Sequence, residues 1–151
     1  MAHQARFAAN AYAAIDVSTR VASASPHRLT LMLFDEALKH INKALAHMAA
    51  GRIADKGVAL TMASRIVDEG LKGTLDLTQG EIAHNLKSLY EYVNGCLLKA
   101  NVRNDAVLLT EARTLLTGLR DSWAAIAPAT GFPPAPISVP SEFPALAVAA
   151  A

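Results

Sequence analysis

The residues best suited to chemistry in this sequence are Glu81 and His84, which stand three positions apart in a predicted helix. Di-metal helical bundles use a Glu-x-x-His pair from each of two helices, together with single glutamates from two others. Only one such pair occurs here, because Glu36 and His40 are four positions apart. We therefore interpret Glu81 as a carboxylate of the first helical turn and His84 as a surface residue. The sequence predicts no metal site and no cofactor.

The sequence also lacks the residue patterns that are usual for nucleophilic and acid/base catalysis. Cys96 is the only cysteine and falls on an apolar seam, whereas a reactive thiolate needs partial exposure and positive neighbours. Asp35 and Glu36, like Asp68 and Glu69, are adjacent on predicted helix surfaces and cannot face a common point. No nucleophile elbow, phosphate-binding loop or zinc-ligand spacing is present. We predict no catalytic residue and no enzymatic activity.

These residues lie on four predicted helices, of which the first is the clearest. Ser25 is a suitable N-cap, Pro26 suits the first helical position, and Gly51 suits the left-handed residue that ends a helix. His27 and His47, in the first and last turns, are expected to be solvated. The seam has alternating spacings of three and four, as in helical bundles, and consists of Leu31, Phe34, Leu38, Ile41, Leu45 and Met48.

Three further helices follow, joined by short turns. Asn104 or Asp105 is expected to cap the last of them. Helices of this length with short connections form an antiparallel up-down bundle, so we predict an all-α, four-helix fold. The predicted helices cover residues 26–50, 53–77, 81–102 and 105–127.

The chain is predicted to divide into three parts. Residues 1–22 are Ala-rich, with scattered apolar side chains, and we expect a partly ordered arm. Residues 23–127 form the bundle. Residues 128–151 hold six of the seven prolines, a density that neither helix nor central strand tolerates, so we expect an extended, flexible tail.

The second helix carries unusually small residues on its seam. Glycine inside a helix costs about 1 kcal/mol relative to alanine, so Gly70 and Gly73 require a reason. Either a neighbouring helix of the bundle approaches closely here, or the small residues form a shallow groove in which a partner helix lies. The seam positions are Ala59, Ala63, Ile66, Gly70, Gly73 and Leu77.

Composition excludes several classes of protein. The chain has 151 residues, of which 52% are hydrophobic and 18% charged, as suits one domain with a core. The net charge of +1 provides no basic surface for nucleic acid or an anionic membrane. No apolar run approaches the roughly 20 residues of a membrane-spanning helix, and no signal peptide is recognisable. A single cysteine fits a reducing compartment. We expect a cytoplasmic protein without membrane insertion.

Several short blocks of the sequence stand out by their residues and by their order along the chain. The blocks are Ser23-Ala24-Ser25-Pro26, Met32-Leu33-Phe34-Asp35, Ile66-Val67-Asp68-Glu69-Gly70-Leu71, Gly80-Glu81-Ile82-Ala83, Leu89-Tyr90-Glu91-Tyr92 and Ala100-Asn101-Val102-Arg103-Asn104-Asp105, followed by Trp123. In this order and spacing, they are similar to the flagellin-specific export chaperones of bacteria, the FliS family. Glu36 stands where that family usually has Gly.

The resemblance implies a helical bundle that binds the C-terminal segment of flagellin in the cytosol. Such a protein prevents premature polymerisation and aids delivery to the flagellar type III export gate. A gate component and other flagellar regulators or co-chaperones are implied as further partners. The residues predicted to bind flagellin, chosen on the resemblance and on spare apolar surface, are Tyr12, Ile15, Leu33, Phe34, Ile66, Gly70, Gly73, Asn85, Leu89, Tyr92 and Asn101.

Two alternatives from other classes stay open at this point. One is an iron or manganese protein that uses Glu81 and His84. The other is a self-associating bundle with the small residues of the second helix as its dimer seam. A related expectation concerns the arm, which we predict to lie over part of the apolar groove in the free protein, anchored by Tyr12 and Ile15.

Overall fold

A computed structural model describes residues 25–126, and every regular element in that range is helical. Helix α1 packs against α2 and α4, and α3 also packs against α2 and α4. The predicted all-α, antiparallel four-helix bundle is confirmed. The helices are α1, Pro26–Ala49; α2, Ile53–Arg65, which continues as a π-helix over Ile66–Lys72; α3, Glu81–Arg103; and α4, Ala106–Ala124; a 3₁₀ turn, Leu77–Gln79, precedes α3.

The ends of α1 follow the predicted pattern. The Ser25 side chain accepts a hydrogen bond from the Arg28 backbone N–H over 3.2 Å, and Pro26 occupies the first turn. Gly51 has φ of 74°, the left-handed conformation that glycine adopts without steric cost. After the turn between α3 and α4, the Asp105 side chain caps α4. It accepts hydrogen bonds from the Val107 and Leu108 backbone N–H groups.

The predicted end of the second helix at Leu77 is wrong. The helix widens after Arg65 and ends at Lys72, where the Gly73 N–H donates to the Asp68 carbonyl, five residues back, over 2.9 Å. This wider turn brings the chain close to itself. A Cβ added at Gly73 would lie 2.5 Å from the Glu69 carbonyl oxygen, so the π-turn requires glycine at this position.

Gly70 has a different role, at a close contact between helices. A Cβ added there would lie 3.2 Å from Cδ1 of Leu33 on α1. The close approach of a neighbouring helix within the bundle therefore explains Gly70, and this residue does not form a dimer seam for a second copy. Together with Leu33, the buried core includes Phe34, Ile41, Leu60, Ile66, Val93, Cys96, Leu97, Leu109 and Leu116.

Two polar residues expected at the surface are buried or packed. Glu36 is buried on α1, where its carboxylate lies 3.3 Å from His40 Nε2 and 3.6 Å from Lys39 Nζ. His27 is not solvated: its ring stacks on Trp123 with centroids 5.3 Å apart. His27 Nε2 donates to the Trp123 carbonyl over 2.8 Å, and Trp123 Nε1 donates to the His27 carbonyl over 3.0 Å. These bonds join the start of α1 to the end of α4.

Within residues 25–126, no helix has the length and apolar character needed to cross a bilayer.

Candidate functional site

A groove of about 170 Å³ lies between α2 and α3 and forms the candidate site. Its apolar residues are Leu60 and Leu97, which belong to the buried core, and Leu98, which is 65% exposed at the rim. The sequence places Leu98 directly after the core residue Leu97, so one turn of α3 supplies apolar surface both to the bundle and to the outside. The groove can therefore accept the apolar side chains of a partner.

The remaining lining residues are polar. They are Thr61, Ser64 and Arg65 on α2 and Asn101 on α3. Within the range that the structure describes, the side chains of Thr61, Ser64 and Asn101 make no hydrogen bond. Hydroxyl and carboxamide groups both donate and accept, so they can bond to a partner's main chain or polar side chains.

Lys56 contacts the groove residue Asn101 but does not line the groove. Its side chain is buried, and Nζ donates to the Asn101 carbonyl and to Asn104 Oδ1, each over 3.0 Å. The last carbonyl groups of a helix lack intrahelical partners, and a cation is favourable at that end of the helix dipole. Asn104 adopts the left-handed conformation that ends α3, with φ of 53°. Lys56 thus ties the first turn of α2 to the last turn of α3.

A second cation joins the two helices near the opposite end of α2. Lys72 Nζ lies 2.7 Å from the Asp68 carboxylate and 3.7 Å from that of Glu91 on α3. The hydrogen bond to Asp68 is the main cause that raises the pKa of Lys72 above its usual value. The pair is partly exposed, and its contribution to stability is correspondingly small.

Tyr92 belongs to a separate face, on the side of α3 that meets α4. Its hydroxyl donates to Glu111 Oε1 over 2.6 Å, and its ring is 50% exposed. The hydrogen bond to Glu111 is the main cause that raises the pKa of Tyr92. Burial raises the pKa of the Cys96 thiol, which disfavours a reactive thiolate.

The residues predicted to bind flagellin fall into distinct groups. Tyr12 and Ile15 lie outside the described residues. Leu33, Phe34 and Ile66 are at most 2% exposed, form the core and do not line the groove.

The other predicted residues lie on α2 and α3. Gly70 packs on Leu33, and Gly73 is at the end of the π-helix. Asn85 and Leu89 are half-buried. Asn101 lines the groove, whereas Tyr92 contacts α4. The structure therefore does not bring the predicted set together at one surface.

Sequence reasoning missed most of the groove. Of the residues that line it, the predicted set contains Asn101 and lacks Leu60, Thr61, Ser64, Arg65, Leu97 and Leu98. One available signal was Leu98, a large apolar side chain directly after Leu97 in the sequence.

The proposed metal motif has no partners in the structure. Glu81 and His84 are both exposed on α3. Among the residues described, no group of three or more His, Cys, Asp or Glu side chains is placed to hold a metal ion.

Four exposed apolar side chains lie on the two helices that form the groove, toward the end of the bundle that contains the α1–α2 and α3–α4 turns. Such side chains at one end of a protein favour contact with a partner. They are Ile53 and Val58 on α2 and Leu98 and Val102 on α3.

Comparisons with known proteins identify similar sequences over most of the chain. The family described as "Flagellar protein FliS" matches residues 8–130. "Flagellar secretion chaperone FliS" of Salmonella typhimurium is 44% identical over 123 residues, which are 81% of this chain and 91% of that protein. The protein of the same name from Escherichia coli K12 is 39% identical over 75% of this chain and 84% of its own length. The Bacillus subtilis protein is 33% identical over 68% and 76%, respectively.

Proposed function

Because the chain belongs to the FliS family of flagellar secretion chaperones, we propose that it binds the C-terminal segment of flagellin in the bacterial cytosol. Binding keeps flagellin from polymerising before export and aids its delivery to the flagellar type III export gate. A component of that gate and other flagellar regulators or co-chaperones are further proposed partners. The function is one of binding and not of catalysis.

The observation that carries this proposal is the α2–α3 groove. A segment that orders as it binds can place apolar side chains on the exposed Leu98, above Leu60 and Leu97 at the base of the groove, while the polar rim bonds to its backbone. Exposed apolar surface next to the groove extends the area available to such a segment.

The test compares two exposed apolar residues, only one of which lines the groove. Leu98→Glu places a charge at the groove rim, whereas Val107→Glu places the same charge on α4, at a residue that is 77% exposed and does not line the groove. Titration calorimetry with a synthetic flagellin C-terminal peptide should show binding weakened about tenfold or more by Leu98→Glu. Val107→Glu should bind as the wild type does.

Both side chains are mostly exposed, so both variants should unfold close to the wild-type temperature. A wild-type chain that fails to bind the peptide would contradict the proposed function. Equal binding by both variants would exclude the α2–α3 groove and favour another surface, such as the α3–α4 face at Tyr92.

The proposal includes roles for the two ends of the chain. Residues 1–22 act as an arm that competes with flagellin, with Tyr12 and Ile15 as anchors, and residues 128–151 act as a flexible tail. Deleting residues 1–17 should tighten binding of the flagellin peptide in calorimetry. Weaker binding would instead make the arm part of the binding surface.

A further inference from the structure

Lys56 is a lysine that is only 2% exposed, next to the groove but not in it. Resting on the function proposed above, we propose that Lys56 is a positioning residue for flagellin binding. It holds the last turn of α3 so that the Asn101 carboxamide is already oriented to hydrogen-bond the main chain of the bound segment.

The contacts of the Lys56 ammonium give it this role. Both hydrogen bonds of Nζ go to the end of α3, one to the Asn101 carbonyl and one to the Asn104 side chain. Two bonds from one buried cation fix both the distance and the rotation of this turn relative to α2. Asn101 contributes its carbonyl to Lys56 and its side chain to the groove. Fixing the main chain of Asn101 therefore fixes the direction in which its side chain leaves the helix.

The neighbour of Lys56 leaves room for this arrangement. A Cβ added at Gly57 would lie 4.0 Å from Asn101 Oδ1, which places the carboxamide over the start of α2. The carboxamide makes no hydrogen bond within residues 25–126. Its donors and its acceptor are therefore available to a partner, while the bond from Lys56 to the Asn101 carbonyl fixes the main chain that carries it.

A purely stabilising role explains the burial of Lys56 less well. Taking an ammonium out of water is costly, and apolar side chains of similar volume often stabilise a protein as well as a buried ionic group does. An apolar side chain, however, cannot bond a carbonyl and a carboxamide at fixed positions. The directional bonds are thus the property of lysine that this location uses.

The experiment is a double-mutant cycle on binding of a synthetic flagellin C-terminal peptide. Lys56→Met keeps the length of the side chain and removes the ammonium, and Asn101→Ala removes the carboxamide. Each single substitution should weaken binding about tenfold, the effect of one lost hydrogen bond. The double variant should bind no more weakly than Asn101→Ala alone, because Lys56 acts through Asn101.

Two further variants separate positioning from general destabilisation. Arg120→Met removes another cation that joins two helices, through Asp35 at 2.8 Å on the α1–α4 side, and should leave binding unchanged. Asn104→Gly removes one acceptor of Lys56 and keeps the left-handed conformation. If Lys56→Met unfolds, Asn104→Gly replaces it in the cycle, with the same lack of additivity expected.

A second readout uses the free protein. Nuclear magnetic resonance should show the side-chain NH₂ signals of Asn101 shifted or broadened in the Lys56 or Asn104 variant, and unchanged in Arg120→Met. Unchanged Asn101 signals, or binding losses that simply add in the cycle, would overturn the inference. If the wild type binds no flagellin peptide, the proposed function fails, and the Asn101 signals alone decide the role of Lys56.

Discussion

Replacing Gly70, Gly73 and Gly95 by alanine should separate the packing of α2 from the intrinsic cost of glycine in a helix. Alanine is favoured over glycine in a helix interior by about 1 kcal/mol. At Gly95 on α3 an added Cβ meets no atom within 4 Å. Gly95→Ala should therefore raise the free energy of unfolding by about 0.5–1 kcal/mol and serves as the reference.

The same substitution at Gly70 should lose this gain. Its Cβ would lie 3.2 and 3.3 Å from the two Cδ atoms of Leu33, which is itself buried and must move by a few tenths of an ångström. Overpacking of a core costs about 1–3 kcal/mol, and the helix preference offsets about 1 kcal/mol of it. Gly70→Ala should therefore lower the free energy of unfolding by about 0–2 kcal/mol.

Gly73→Ala should be the most destabilising of the three. The atom that its Cβ would meet, at 2.5 Å, is the Glu69 carbonyl oxygen. A backbone oxygen cannot turn away as a side chain does, so the π-turn itself must deform. The expected loss is about 1–3 kcal/mol, in the range of other backbone strain.

Calorimetry of the three variants tests this order, because 1 kcal/mol shifts the unfolding temperature of such a domain by about 4–8 °C. Leu33→Ala in the Gly70→Ala background should show coupling between the two sites, since the smaller side chain removes the contact. The reasoning fails if Gly70→Ala stabilises the chain as much as Gly95→Ala does and also weakens binding of the flagellin peptide. That result would place Gly70 in a partner groove and not against Leu33.

Three other measurements test separate features of the bundle. Burial is the main cause that lowers the pKa of His40, and the nearby Glu36 opposes this effect. Because the folded state resists protonation of His40, the stability of the bundle should fall as the pH drops below about 6.5. His40→Gln should therefore flatten the change in unfolding temperature between pH 7 and 5. Trp123→Phe keeps an aromatic ring against His27 but removes the indole N–H donor, and should cost about 0.5–1.5 kcal/mol in urea unfolding; no loss would mean that the bond contributes nothing. Removal of residues 128–151 should leave the unfolding temperature nearly unchanged, because their proline density opposes regular packing; a fall of many degrees would show that they pack on the bundle.

The parts of the fold that depend on local spacing could be predicted from the sequence. The seam of α1 and the cap residues Ser25 and Asp105 follow from side-chain periodicity and from hydrogen bonds within one turn. The π-turn could not be predicted in this way. It lengthens the helical turn slightly, and the heptad pattern of α2 continues through it to Leu77 although the helix ends at Lys72.

The candidate site was harder to predict because its parts meet only in the folded bundle. Lys56 is buried, and its ammonium donates to acceptors that lie 45 and 48 positions away in the chain. Leu33, Phe34 and Ile66 were chosen as apolar contacts, but apolar character alone does not distinguish a core residue from a groove residue. Asn101 was the predicted residue that lines the groove, and the reason for its position, the bond from Lys56, has no signature in the sequence around it.

The groove exists because α2 is held to α3 near its two ends and carries short polar side chains between them. Lys56 fixes the first turn of α2 to Asn101, and Lys72 joins its last turn to Glu91. Between these contacts, Thr61 and Ser64 face α3 with side chains too short to fill the space beside Leu97 and Leu98. These short side chains leave an open apolar surface between the two helices. A larger apolar residue at Ser64 would fill the groove from within, and it should abolish peptide binding while raising the stability of the bundle.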